Sequence, residues 1–427
     1  MNEALRELLD ARDRTPIDGA RPIVALDVTG DDDDATEDAG AGEADLDAAL
    51  AAEGRARVVL ERRGRAHGTW VELDPELDAR SELPRPSMCR RRFTEARPLV
   101  WRGRFAPALT EWRNEIHGSV RAGEKLLEGG GLESLMRTRL ARHPRFALAR
   151  VDASGGDTER DLATAHVLDR NAAPGALASF AKAGRLSTFD GDASVRLRFG
   201  FGREVDDDDS ADRNAHRATT ALARAVFPEL ALVDDDAEFQ RELAQIAGLP
   251  LGAACPIAYW NRPQGGALFH HDAFAAAEEN GQRGVLFVQL AGATAWLALS
   301  TLQLAKRVFE FAEQLTDAPW IVEELAPSGA LDAVAAANGD PFALVDELGA
   351  PGQGRLGALV NHGPAFTSFL ADLGHAVVLR AGDAILLPNH GWRATALHSV
   401  FCASSGPNFA LSLGLRPRAL VGGGARR

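Results

Sequence analysis

In the second half of the chain, apolar residues come in short runs separated by Gly, Pro and Asp. SVRLRFGFG at 194–202 alternates apolar and polar positions, the period of a strand with two unlike faces. CPIAYWN (255–261), GVLFVQLAG (284–292), TAWLALS (294–300), HAVVLRAGD (375–383), AILLP (384–388) and NFALSLGLRP (408–417) are denser in apolar residues and read as strands. Short strands with this punctuation predict an antiparallel barrel or sandwich. Helical stretches at 212–226 and 236–247 precede most of them. Between TAWLALS and HAVVLR lies an insertion of about seventy residues. It opens on the amphipathic helix LQLAKRVFEFAEQL and continues through DAVAAAN and TSFLADLG. An insertion of that length in a compact domain usually serves function or a partner.

The first half is less regular. Residues 1–14 predict a short helix and 22–28 a strand. GDDDDATEDAGAGEADLD follows, a self-repelling run with little to bury, expected to be a mobile loop over about 30–46. Neither this run nor Asp206 to Asp209 has the spacing of a calcium loop. ARVVLERRG and HGTWVELD predict two strands joined by a turn. Residues 106–143 carry a helical pattern broken by Glu-Gly-Gly-Gly at 128–131. VDASGGDTERD, from 151, has the composition of a linker, and a domain boundary is expected between there and about 190.

Composition narrows the function. The formal net charge is −14, so no global field holds nucleic acid, and direct nucleic-acid binding is not expected. Arg90, Arg91, Arg92, Arg97 and Arg102 cluster, and are expected to form a solvated basic face. The three cysteines, Cys89, Cys255 and Cys402, form no CxxC and fit a reducing, cytoplasmic setting. No window is long and apolar enough for a membrane helix, and the charged N-terminus does not read as a secretory signal. Ala, Arg, Asp and Gly usage points to a GC-rich bacterial genome.

Candidate chemistry centres on ALFHHDAF at 267–274. If this is the end of a strand, His270 and Asp272 share one face and His271 points to the other. One imidazole and one carboxylate make two-thirds of a 2-His-1-carboxylate triad, which holds Fe(II) and leaves open positions. The third ligand is sought in GDAILLPNHGWRATALHSV (382–400), where His398 opens an apolar segment and His390, in a turn, is the rival. The remaining histidines, His67, His117, His143, His166 and His216, lie among charged residues and are read as solvated; His362 and His375 flank the strand before this second segment.

PIAYWNRPQGGALFHHDAF followed by GVLFVQLAGATAWLAL resembles the metal-binding core of JmjC-type, cupin-fold Fe(II)/2-oxoglutarate oxygenases, the ribosomal-oxygenase branch above all. The residues that carry the likeness are Tyr259, Pro263, Gln264, Gly265, His270, Asp272, Gln289, Gly292 and Trp296, with GDAILLP…W…H as a second motif. It covers roughly 255–300 and 375–417. The resemblance implies an α+β fold with a double-stranded β-helix (cupin or jelly-roll) core. On that reading 186–420 form the oxygenase domain, with a helical insertion at about 301–374. The resemblance does not reach residues 1–185, which are expected to form an N-terminal α/β region of unknown role, and 421–427 are expected to be a disordered tail.

The resemblance further implies Fe(II) held by His270, Asp272 and His398, with 2-oxoglutarate and O2 as co-substrates. A carboxylate at 272 implies hydroxylation, or demethylation through a hydroxymethyl group, of a protein, peptide or small-molecule substrate. The alternatives are an iron cupin oxygenase that does not use 2-oxoglutarate, and a non-catalytic cupin-like binding protein. The family carries Lys or Arg two residues after Gly292 to pair with the co-substrate; here that position is Thr294. Arg283, Lys306, Arg393 and Arg416 are the candidate substitutes, Arg416 on the last strand and Arg393 beside the metal. Tyr259 is expected to line the pocket and Asn408 to support it. The insertion and the N-terminal half are expected to shape substrate access or a homodimer, and the acidic surface to attract a basic protein or peptide.

Overall fold

The computed structural model describes residues 86–153, 161–172, 178–186, 193–202, 213–262, 265–272, 281–349, 354–362, 365–404 and 408–418, together with four two-residue strands nearer the N-terminus. The expected helix at 1–14, the acidic loop at 30–46, Asp206 to Asp209 and the tail at 421–427 lie outside the described residues. Within the predicted strands at 22–28, 56–64 and 67–74, only Ile23–Val24, Ala56–Arg57 and Glu61–Arg62 are described, the last pairing with Arg65–Ala66.

Thirteen longer strands build two antiparallel sheets. They are β1 (Leu99–Trp101), β2 (Phe146–Ala153), β3 (Asp161–Asp169), β4 (Ser179–Gly184), β5 (Ser194–Phe201), β6 (Leu251–Asn261), β7 (Gly266–His270), β8 (Gly284–Ala291), β9 (Ala293–Ser300), β10 (Ala376–Arg380), β11 (Ala384–Pro388), β12 (Ala396–Cys402) and β13 (Phe409–Pro417). The nine-stranded sheet has the order β1-β11-β8-β13-β6-β5-β4-β3-β2, and the four-stranded sheet the order β7-β12-β9-β10. From β6 onward the chain alternates between the sheets, except that β9 and β10 are neighbours in the smaller one. The large sheet draws strands from both sides of residue 186. Of these, β2 to β4 form a three-strand meander over 146–184, where the sequence predicts a domain boundary; residues 154–160 of the linker-like segment lie outside the described residues.

The helices at 113–140, 213–226 and 237–247 follow the sequence pattern, and one at 86–94 adds to it. α1 (Pro86–Thr94), α2 (Arg113–Leu127), α3 (Leu132–Leu140), α4 (Arg213–Val226) and α5 (Ala237–Ala247) pack on one side of the large sheet. The glycine run at 128–131 separates α2 from α3, with Gly129 and Gly131 at φ +85° and +88°, where a side chain would be strained. The insertion is mostly helical over its described residues, with short turns between the helices. It opens on α6 (Thr301–Gln314), whose N-terminus carries a reciprocal cap between Ser300 and Gln303. It continues through α7 (Pro341–Leu348) and closes on α8 (Ala365–Asp372).

Alternation in β8 decides where the two cores lie. Leu286, Val288 and Leu290 face the N-terminal helices, and Val285 and Phe287 face the smaller sheet and the insertion. A strand buried on both faces reads as a continuous apolar run, as GVLFVQLA does. The β6 strand divides the same way, with Trp260 in the helical core and Tyr259 against the other. No described helix is long and apolar enough to cross a membrane.

Candidate metal centre

The β7 strand enters the smaller sheet through Gly266, whose position leaves no room for a side chain: a Cβ there would sit 2.2 Å from the Val400 carbonyl oxygen. This close approach lets β7 pair with β12. A bulge between Ala267 and His270 then brings His270 directly opposite His398. The Asn361 side chain accepts from the Phe269 amide at 2.9 Å and fixes the bulge from the insertion. Two residues further on, Asp272 returns to the same face, its backbone carbonyl accepting from the Gln282 amide group. His271 points away and meets the Gly349 carbonyl at 2.7 Å.

His270, Asp272 and His398 each offer one ligand atom, and these lie within 4.8 Å of one another. The ring centroids of the two histidines are 4.2 Å apart, and His398 Nε2 is 3.8 Å from Asp272 Oδ2. His270 Nδ1 donates to the Leu268 carbonyl at 2.7 Å, which fixes its tautomer and leaves Nε2 with a lone pair. His398 stacks on Trp296, with ring centroids 5.4 Å apart.

Burial and the neighbouring His270 push His398 down to about 3, so it is a neutral imidazole at physiological pH. Burial raises the Asp272 carboxyl, but the imidazoles of His398, His270 and His271 and the Arg196 guanidinium outweigh it and hold the group below its ordinary value. Asp272 keeps 39 % of its side chain accessible and lines a cavity with both histidines. Two imidazoles and one carboxylate, close together in a confined space, are the donor set that a divalent transition metal needs.

The cavity measures about 80 Å³, room for a small molecule rather than a peptide. Val285, Phe287, Trp296, Leu387 and Val400 form apolar walls. Arg196, Tyr259 and Ser412 also line it. In register, Tyr259 lies directly opposite Arg196 on β5 and Ile257 opposite Ser412 on β13. Burial, with the charge of Asp272, pushes the Tyr259 hydroxyl up to about 12, so it is a donor.

The other sequence candidates stand elsewhere. Arg416 meets His216 at 3.1 Å; four residues, about 13 Å of strand, separate it from Ser412. Arg393 is exposed, paired with Asp346 and lying over the Trp392 ring. Thr294 is buried between Gln289 and Trp296, bonded to each at 2.8 Å. Asn408 accepts from the Asn261 amide and ties β13 to the end of β6. None of these four lines the cavity. His390, the rival ligand, bonds the Phe93 carbonyl at 2.7 Å. His216, read as solvated, is 4 % exposed: its helix turns it inward onto Cys255 and Arg416.

Arg196 escaped the sequence reading, yet a signal was present. In SVRLRFGFG the two arginines occupy one face of a strand whose other face, Val195, Leu197 and Phe199, is buried core. An arginine facing inward between two apolar layers needs an anionic partner.

No family model matches the chain, and no curated protein matches it. Among solved structures it is similar to an oxidoreductase of the 2OG-Fe(II) oxygenase family from Burkholderia pseudomallei, at 9% identity over 79% of this chain and 93% of that one, with a TM-score of 0.27. It is similar to YcfD, a ribosomal oxygenase from Escherichia coli, at 12% identity over 60% of this chain and 40% of that one, TM-score 0.19. A second structure of E. coli YcfD aligns at 13% identity over 64% and 51%, TM-score 0.20. The chain thus spans about half or less of the E. coli chains it matches. The chemistry of the site is read from its own geometry.

Proposed function

We propose that the chain is an Fe(II)- and 2-oxoglutarate-dependent dioxygenase that hydroxylates a C–H position of its substrate. One observation carries the reading: His270, Asp272 and His398 converge within 4.8 Å in a cavity that also holds an arginine and two hydroxyl donors. The strand order supports it. The sets β6-β13-β8-β11 and β7-β12-β9-β10 follow the order expected of a double-stranded β-helix, and His270 and His398 lie on neighbouring strands of the smaller set.

In this reading His270 and His398 donate neutral nitrogens and Asp272 an anionic oxygen. Iron and 2-oxoglutarate, when bound, supply the oxidising chemistry with O2. Arg196, which lines the cavity, would hold a carboxylate of the co-substrate through a charge-assisted contact. Tyr259 and Ser412 would offer hydroxyl donors to it. The apolar walls exclude water, which strengthens each of these contacts. Arg196 thereby takes the role that the family gives to a cation at the position of Thr294.

The test is oxygen uptake by the anaerobically purified chain after addition of Fe(II) and 2-oxoglutarate. One succinate formed per O2 consumed supports the reading. Oxygen uptake independent of 2-oxoglutarate moves the chain to the iron cupin oxygenases, and failure to bind Fe(II) or Mn(II) moves it to the binding proteins.

A further inference from the structure

One polar side chain of the metal cavity takes no part in holding iron or co-substrate. Asn261, at the end of β6, lines the cavity together with Tyr259, two residues earlier on the same strand. It is 2 % exposed. Its Oδ1 is buried and has no hydrogen-bond partner among the described residues. Buried polar atoms are nearly always paired, so an orphan in a cavity wall marks a place where a bound molecule completes the pairing.

The backbone holds this side chain in place from both sides. The Asn261 amide donates to Asn408 Oδ1 at 3.0 Å, and the Asn261 carbonyl accepts from the Asn408 amide at 2.9 Å. Cys402 Sγ donates to the same carbonyl at 3.6 Å. On the other edge, Asn261 is in register with Ser194 of β5. A rigid strand therefore presents the carboxamide to the cavity, with its acceptor still to be filled.

A carboxamide offers one acceptor and two donors in one plane. The 2-oxoglutarate of the proposed reaction carries only carboxylate and keto oxygens. It can accept from Nδ2, but it has no proton for Oδ1. The partner of Oδ1 must bring its own N–H or O–H. An ammonium or guanidinium would share the apolar-walled cavity with the Arg196 guanidinium, at a cost in desolvation and repulsion. A neutral amide fits both ends of the side chain, its N–H on Oδ1 and its carbonyl on Nδ2.

We propose that Asn261 is a specificity-determining residue and that the substrate enters the cavity through a neutral amide group that pairs with it. This inference rests on the oxygenase reading of the same site and adds to it the class of group that is recognised.

The test uses the full chain loaded with Mn(II) and 2-oxoglutarate, and follows paramagnetic broadening of the methyl protons of small probes by NMR. Acetamide stands for a side-chain carboxamide and N-methylacetamide for a peptide unit. N,N-dimethylacetamide keeps the carbonyl and lacks the N–H. Saturable broadening of acetamide or N-methylacetamide is expected at concentrations about tenfold lower than for the dimethyl probe. The stronger of the two names the source of the amide. Asn261→Leu, close in volume, is expected to abolish the preference and to leave Mn(II) and 2-oxoglutarate affinity within about twofold of the parent. Equal broadening by the three probes, or none, in a parent chain that binds Mn(II) and 2-oxoglutarate overturns the proposal and leaves the oxygenase reading standing. A parent that binds neither overturns both. A preference that survives in Asn261→Leu comes from size alone and overturns the proposal too. The metal-free chain gives a second readout. With the orphan atom removed, Asn261→Leu is expected to melt above the parent, and a lower midpoint shows an asparagine that only serves the fold.

Discussion

His270 and His398 stand directly opposite each other across β7 and β12, their ring centroids 4.2 Å apart. One cross-strand pair thus joins two motifs separated by more than a hundred residues of sequence. The bulge in β7 makes this pairing possible, because without the extra residue Phe269 would oppose His398 and the imidazole would face the other way.

Arg196→Ala is expected to raise the 2-oxoglutarate KM by about tenfold or more, the loss of a charge-assisted contact in a dry cavity. Mn(II) affinity is expected to stay within about twofold of the parent, because the three ligands remain. Steady-state kinetics beside Mn(II) titration checks both halves, and a KM unchanged in the variant removes Arg196 from the co-substrate site.

Thr294 links Gln289 to the Trp296 indole, and Trp296 stacks on His398. Thr294→Val keeps the shape and removes the hydroxyl. The buried indole N–H then lacks its acceptor, at a cost of about 1–3 kcal/mol in urea unfolding. Thr294→Lys, which restores the family's usual cation, is expected to destabilise more strongly, because the charge is buried without a partner.

Acid should weaken the metal-free fold over a defined window. His398 is held down to about 3 and His375 to about 4, both chiefly by burial, against an ordinary 6.5. The unfolded chain binds these protons below pH 6.5 and the folded chain does not. Stability is therefore fully present above pH 6.5 and declines as pH falls towards 4. Thermal midpoints of the metal-free chain should follow that decline, and His375→Gln should flatten it. A midpoint constant from pH 7 to 4.5 contradicts the assignment.

Gly123 faces Trp260 in the contact between α2 and β6. A methyl group there would lie 1.9 Å from Trp260 Cδ1, and the Trp260 indole is pinned to the Ser119 carbonyl at 2.9 Å. Gly123→Ala is expected to cost about 3 kcal/mol by overpacking. A chemical denaturation midpoint equal to the parent's would show that the helix moves aside freely.

The strands that were legible in the sequence are those buried on both faces. GVLFVQLAG, AILLP and NFALSLGLRP are apolar over nearly their whole length, and each became a strand of the large sheet. The amphipathic α6 was legible by its period. The strands β2 to β4 were not, because they lie towards one edge of the sheet and keep polar residues such as Arg150, Asp152 and Lys182. Their pairing comes from distant partners rather than local pattern. At the site, the H-x-D alternation made His270 and Asp272 readable. The inward arginine was not legible because Arg196 comes from β5, a strand outside both motifs. His216 was missed because a polar neighbourhood in sequence says little about the face a helix turns inward.

The central claim is that three side chains grip one divalent metal ion. Anomalous diffraction at the manganese edge, from crystals grown with Mn(II) and N-oxalylglycine, measures it directly. The account predicts a single strong peak bounded by His270 Nε2, the Asp272 carboxylate and His398 Nε2, with the inhibitor's far carboxylate on Arg196. No peak there, or one at other residues, contradicts it.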